Sequence, residues 1–534
     1  MDRRISKQIM LAGILDTLTG ALQPRYGLTE VVALVVLAWV IGRVWTYSTS
    51  PLRKYPGPYL AGWTNLWRFY HVLKLNSHLV VDELHRKYGP VVRIGPNLLS
   101  LSDPSLIKSI YKFENDWEKT EFYHGGSTRS WTGKVTYNIF GISDRKEHAR
   151  VRRPIGKLYS MSYALGIEKH VDTAISQLWE ELETRFIDGQ NKGKSCRLDE
   201  WFLYYIPDCW DVVGDITFSQ PFGYMKHGYD FDGSLADSEM AMNYLATVGQ
   251  IPVLDFAVAQ NPILKLLAKA PFTTANTIAR ERLENRLAGK DGHVHDAANP
   301  DFLDGFIEAQ RSHRDIVTSG QLQSYLLINL IAGADTTAIT LTAAVYLGLK
   351  HPKVWQRLEN EVLSAKLPTD RPISYKEARE LPYLDAVIRE AMRLHPAVGM
   401  PLERYVPSSG LQLPDGSFVP EGAMVGMNPY IVNRTSPFGE DSEVFRPERW
   451  LQGPKESVEK YNERLHGMNN ADITFGAGSR MCGGRHIANL EMYKVISTLV
   501  QRYKLELVDP EKEWTVKNGW FLRLSGVNVR MERR

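Results

Sequence analysis

The stretch Phe475-Gly476-Ala477-Gly478-Ser479-Arg480-Met481-Cys482-Gly483-Gly484-Arg485 decides how this chain is read. It sets one cysteine in a glycine-rich loop that opens into a helical pattern, Arg485 to Lys494. The first turn of a helix offers unpaired amides and the positive end of the dipole, and both stabilise an anionic sulfur. Such a thiolate can hold an iron by a single bond and push electron density onto it, which favours O–O cleavage. Glycines let the backbone turn sharply and keep side chains clear of a flat macrocycle. Arg480, two residues before the cysteine, can reach a carboxylate arm of that ring. An arbitrary lone cysteine is more often a small buried hydrophobe. Gly476-Ala477-Gly478 also begins like a dinucleotide loop, but the third glycine of that fingerprint would fall at Met481.

The rest of the composition narrows the class. The chain has 534 residues, 43% of them hydrophobic and 23% charged, which is the balance of an ordinary globular protein. A net charge of only +3 gives no support to nucleic-acid binding. Three cysteines, Cys196, Cys209 and Cys482, are too few for a disulfide framework and suit a reducing compartment. There is no P-loop, no dinucleotide fingerprint and no internal repeat, so electrons must arrive from another protein. Near the N-terminus, Leu28 to Tyr47 has an apolar heart of 12 residues, Val31 to Gly42, against the ~20 that a spanning helix needs. Glu30 and Arg43 can snorkel to the two interfaces, and Trp39 and Trp45 suit an aromatic belt. A basic, proline-broken linker, Pro51 to Pro58, follows. The segment is read as a spanning anchor; the place of the weakly apolar Ile9 to Leu22 stays open.

Further along, Gly89 to Asp103 reads as two short strands around a turn, and Gly410 to Pro420 as a hairpin with Asp415-Gly416 at its tip. The middle of the chain is mainly helical, and Trp514 to Val529 suggests terminal strands. A polar break at 289–300 holds His293 and His295; with no further ligand near in sequence, it reads as solvated loop and not as a metal site. Leu322 to Leu349 carries one charge, Asp335, in 28 residues. Its threonines, Asn329 and glutamine make it too polar for lipid, so it is read as a helix of about 42 Å buried through the globule. At its centre stands Ala332-Gly333-Ala334-Asp335-Thr336-Thr337. An acid, a hydroxyl and the room left by Gly333 make a proton relay, since the threonines can bond back to the preceding turn and loosen the helix. The plainer alternative is a tolerated polar defect in a core helix.

With F-x-x-G-x-R-x-C-x-G filled at every specified position, the Cys482 loop resembles the haem-binding signature of the cytochrome P-450 family. The resemblance runs from about Tyr55 to the end and, less specifically, is to fungal microsomal members of the pisatin-demethylase-like kind. It implies a mainly α fold with a smaller β region, with heme b between the long central helix and the helix after the cysteine loop. It implies Cys482 as the iron ligand, Phe475, Arg480 and Gly484 around it, and His148, Arg152 and Arg404 on the haem propionates. Ala332 to Thr337 is similar to the family's oxygen-activating helix, so that Thr336 would bond dioxygen and Asp335 would feed protons inward. Glu390, three residues before Arg393, resembles the family's E-x-x-R, and Arg449 completes its structural triad. Alone, such a spacing is a surface ion pair contributing tenths of a kcal/mol.

The activity implied is that of a monooxygenase, placing one atom of O₂ in a lipophilic substrate of fungal secondary metabolism. Its electrons would come from NADPH through NADPH-cytochrome reductase, with cytochrome b5 as a further donor. A haem-thiolate isomerase or peroxygenase, and a non-catalytic haem sensor or carrier, are the rivals. The basic groups Lys146, Arg150 and Arg153, on the face away from His148 and Arg152, would dock an acidic reductase surface. Cavity walls are expected from 122–140, 325–335, 397–402 and 518–521. Residues 1–50 would be the anchor region in the endoplasmic reticulum membrane and 51–534 the catalytic domain. Asn433-Arg434-Thr435 is a glycosylation sequon expected to be unused.

Overall fold

The structure is a computed structural model that describes residues 28–112, 117–125, 128–129, 135–189, 191–205, 210–257, 272–296 and 300–534. Residues 1–27 and Cys209 lie outside these, as do parts of the 122–140 segment. The first helix, α1 (Leu28–Thr49), is followed by the antiparallel pair β1 (Val91–Gly95) and β2 (Leu98–Leu101), as the turn pattern predicts. Then come α2 (Arg145–Arg152), α3 (Trp210–Phe218), α4 (Ser234–Val248), α5 (Thr273–Leu287) and α6 (Phe302–Ser312). The long helix α7 (Ser319–Lys350) and α8 (Pro382–Leu394) lead to β3 (Arg404–Tyr405) and β4 (Met424–Met427). After α9 (Arg485–Arg502) come the hairpin β5 (Thr515–Asn518) and β6 (Leu522–Ser525) and a last strand, Asn528–Arg533, which pairs antiparallel with Tyr503–Leu507.

The architecture is mainly α. One small sheet runs β1-β2-β4-β3, with the β2–β4 pair parallel (Leu98 against Met424). The expected hairpin pairs Leu411 with Val419. The main apolar core gathers around α7, which is buried along most of its length, so its apolar run is a core helix and not a span. Thr318 caps it by accepting from the Gln321 amide at 3.2 Å. In α1, by contrast, Leu34, Leu37, Trp39 and Ile41 are exposed, while Tyr47 stacks on Trp63 at 4.8 Å and ties the helix to the body.

One correction concerns the His293/His295 loop. It is not simply solvated. Folding brings Asp304 of α6 to both rings, with His293 Nε2 at 2.8 Å and His295 Nδ1 at 2.6 Å from its Oδ2. The missing ligand was distant in sequence and adjacent in space.

Glu390, Arg393 and Arg449 are wholly buried, which lifts them out of the surface-pair class. Glu390 accepts from Arg393 at 2.8 and 2.9 Å, Arg449 Nε at 2.8 Å, the Arg446 amide at 2.9 Å and Trp450 Nε1 at 2.9 Å. The guanidinium of Arg393 then donates to the carbonyls of Asn433 (2.8 Å) and Ser442 (2.6 Å). Asn433, the sequon residue, is fully buried; its amide nitrogen donates to Thr474 Oγ1 at 2.9 Å, and its carbonyl oxygen accepts from the Ile473 amide. A glycan has no access to it. The triad therefore reaches the cysteine loop through Asn433. Removing one partner of a buried pair leaves an uncompensated charge, so Arg449→Ala should lower unfolding free energy by about 3–5 kcal/mol in denaturant titration. A loss below 1 kcal/mol would show that the triad is dispensable.

Candidate functional site

The Cys482 loop is closed by two backbone bonds, Gly476 N–H to the Ile473 carbonyl (2.8 Å) and Cys482 N–H to the Phe475 carbonyl (2.9 Å). Gly478 has φ 63°, and a Cβ there would stand 1.9 Å from the Tyr111 carbonyl oxygen, so glycine is required. The sulfur lies deep in the molecule, yet it has free surface because it faces a large cavity between α7 and the loop. Burial pushes the thiol up, and the amides of Gly484 and Arg485, at the start of α9, pull it back down. Nothing stands within 4 Å of where a Cβ would be on Gly484, so the loop leaves open space beside the sulfur.

The cavity wall beside the loop is cationic. His148 and Arg152, on one face of α2, line it with Arg404 and Arg480, as the sequence predicts. Lys119 joins them; it was not legible in sequence, because only the bridge Lys119–Arg404 brings it there. Burial, then Arg404 and Arg480, hold the Lys119 ammonium well below its ordinary range. Burial and Arg404 lower Arg480 to about 10, and burial with Arg480 and Lys119 lowers His148 to about 3. Arg480 also donates to the carbonyls of Ile142 and Ser143, both at 2.8 Å, which fixes its position. Buried cations that repel one another make a receptor for carboxylates. A cysteine sulfur facing open space and this wall together fit a haem with its two propionates. On the far face of α2, Glu147 takes Arg150 in a two-point bond at 2.7 Å, so the exposed basic face is weaker than the sequence suggests.

The relay on α7 is split between two sides. Thr336 lines the cavity, with its hydroxyl bonded back to the Ala332 carbonyl at 3.1 Å; Thr337 bonds back to Gly333 at 3.4 Å. Asp335 is buried but turned to Arg523 of β6, at 2.6 Å. Burial raises its carboxyl and Arg523 opposes the rise. Arg523 also holds Glu239 of α4 at 3.1 Å. A second acid that sequence reading missed is Glu491 of α9, buried at the cavity edge near Thr337. Burial pushes it up to about 8. On the sequence it is one more polar residue of a helix, and no local signal marks it.

The remaining walls match the expected segments where these are described: Phe122 and Phe140, Leu327 to Ala332, Val398 to Leu402, and Trp520 with Phe521. Phe122 and Trp520 stack at 5.1 Å. Val213 and Ile216 of α3 and Met242 of α4 complete the lining and were not foreseen.

Comparison with known proteins agrees with this site. The cytochrome P-450 family profile matches residues 60–528. The chain is 43% identical over 94% of its length, and 92% of the relative's, to the cytochrome P-450 monooxygenase cfoH of Aspergillus candidus. It is 38% identical to a cytochrome P-450 monooxygenase of Aspergillus terreus (89% and 94% of the two chains). It is 36% identical to cicH, a cytochrome P-450 monooxygenase of Emericella nidulans (90% and 93%). The amide-lined sulfur, the cationic wall and a likeness that spans nearly whole chains lead to one conclusion: this chain belongs to the cytochrome P-450 family, the monooxygenases that carry a cysteine-ligated haem.

Proposed function

We propose that Cys482 is the haem's thiolate ligand and that His148, Arg152, Arg404, Arg480 and Lys119 hold its propionates, with Phe475 and Gly484 shaping the loop. The observation that carries this assignment is the meeting, in one cavity, of a sulfur lined by amides with His148 and the basic side chains of Lys119, Arg152, Arg404 and Arg480. The bound haem supplies dioxygen activation and the transfer of one oxygen atom to substrate. The chain's residues supply binding, orientation and protons. Its substrate is a lipophilic product of fungal secondary metabolism, seated against the aromatic and aliphatic walls. Residues 1–50 anchor the chain in the endoplasmic reticulum membrane, and 51–534 form the catalytic domain. The exposed apolar side chains of α1 support this reading. Expressed with a reductase, the full chain should sediment with microsomes, show the red-shifted carbon monoxide band and form product from NADPH. Cys482→Ala should still sediment but lose band and product; a band retained in this variant would refute the ligand.

Protons reach the cavity along α7. Thr336 holds its hydroxyl at the cavity face, and Asp335 sits between it and the Arg523–Glu239 pair, whose Glu239 is partly exposed. Turning Asp335 from Arg523 toward Thr336 carries a proton inward. The reductase and cytochrome b5 dock on the exposed basic face with Lys146 and Arg153, since Arg150 is neutralised by Glu147. Kinetics separate the two roles. Asp335→Asn should lower reductase-driven kcat by about 10²-fold, whereas Lys146→Glu should raise KM for the reductase with kcat kept. Peroxide-driven turnover should stay near the parent's in both, and an equal loss in both assays would overturn the assignments.

Glu491 serves as a neutral acid near Thr337. A carboxyl that is raised in the folded state binds its proton there while the unfolded chain has lost it, so stability falls as pH rises from the ordinary glutamate value through about 8. Glu491→Gln removes that slope. In thermal unfolding of the holoenzyme, its stability relative to the parent should climb between about pH 5 and 8 and then level off. A pH-independent difference would mean that Glu491 is charged in the fold.

A further inference from the structure

Outside the haem cavity, the loop between α5 and α6 brings two imidazoles and a carboxylate together. The ligand atoms of His293, His295 and Asp304 all lie within 4.8 Å of one another. A tetrahedral zinc with bonds of 2.0–2.1 Å sets its ligand atoms about 3.3 Å apart, so small side-chain rotations close the site. Asp304 is already prepared as a one-oxygen ligand. Its Oδ1 is held by Arg286 Nη1 at 2.6 Å, while Oδ2 takes both rings, His293 Nε2 at 2.8 Å and His295 Nδ1 at 2.6 Å. A side chain that holds a ligand's second atom is what orients it toward a metal.

The framework around these three groups is fixed independently of them. Asp301 caps α6 by accepting from the Asp304 amide at 2.8 Å and from Arg286 Nη2 at 2.9 Å. Asp291 bonds Arg286 Nε and accepts from the His293 amide at 3.2 Å, which pins the loop where the first imidazole begins. Charge points the same way. Asp291, Asp301 and Asp304 surround the guanidinium of Arg286, and Arg282 also faces Asp291, so the acids still outnumber the cations. That negative surplus suits one divalent ion. The side chains of Asp304 and His293 are 8% and 11% exposed and that of His295 is 59%, which gives a site with a closed floor and an open mouth for entry and for a water as fourth ligand.

We propose that His293, His295 and Asp304 form a zinc-type site for a divalent transition metal. Mixed imidazole and carboxylate donors select such an ion over calcium or magnesium, which take oxygen ligands. The ion fastens the loop to α6. Through Arg286, which also donates to the Phe218 carbonyl at 2.9 Å, and Ser219, which donates to Asp301 at 2.8 Å, it braces the end of α3. That helix carries Val213 and Ile216 into the substrate cavity, so the metal stiffens one of its walls.

The test uses untagged, haem-loaded full chain equilibrated with zinc and passed over a weak chelating resin, with metal counted per chain. The parent should retain about one zinc per chain, with two imidazole nitrogens in its zinc X-ray absorption. His295→Ala and His293→Ala should each retain essentially none, whereas His466→Ala, at an exposed histidine elsewhere, should match the parent. Zinc should raise the thermal midpoint of the parent and leave both loop variants unmoved. An unchanged carbon monoxide spectrum shows that His295→Ala, altered at an exposed ring, is folded. A parent that retains no zinc, or loop variants that retain as much as the parent, would overturn the site.

Discussion

Everything near the sulfur depends on a carboxylate that never approaches it. Glu390 sits at zero exposure with two guanidiniums, an indole N–H and a backbone amide pointing at its two oxygens. Its desolvation would be prohibitive if any partner left, and so the partners do not leave. Arg393 and Arg449 then bind carbonyls between Asn433 and Val444, which fixes a stretch with little regular structure. Asn433 passes that order on to Ile473 and Thr474, and the Phe475 carbonyl holds the Cys482 amide. A loop that must present one sulfur to a planar ring gains its rigidity from a charge network one layer away.

The cavity itself is divided by charge. Lys119, Arg404, Arg480 and Arg152 gather at one end, a concentration of basic groups that suits carboxylates. Two acids stand apart from this wall: Asp335 paired with Arg523, and Glu491 at the cavity edge, pushed up by burial. Between them the walls are apolar and aromatic. The basic end suits anionic groups, and the apolar middle suits a lipophilic substrate.

Helix α7 links the two halves of this design. Its threonines return hydrogen bonds to Ala332 and Gly333, so polar groups in a core helix are satisfied locally while one hydroxyl still meets the cavity. A Cβ on Gly333 would stand 3.0 Å from Val213 of α3, so glycine keeps the helix slim at the level where space is needed. The terminal hairpin acts on both sides of the helix: Trp520 and Phe521 at its turn close the cavity, and Arg523 on β6 holds Asp335.

The sequence by itself determined the chemistry. A cysteine at fixed spacing from Phe475, Arg480 and Gly484, the Asp335-Thr336 pair in an apolar helix, and Glu390 three residues before Arg393 are local patterns, and each is read within one turn or one loop. Strands, hairpins and the burial of α7 were legible for the same reason: they follow from periods of a few residues. Only the tertiary structure decided which distant residues share a site. Lys119 beside Arg404, Arg523 on Asp335, Glu491 near Thr337 and Asp304 closing on two histidines all depend on packing between elements. No one-dimensional period encodes that packing, because side chains far apart in the chain meet only after the core has set the angles and distances between their helices.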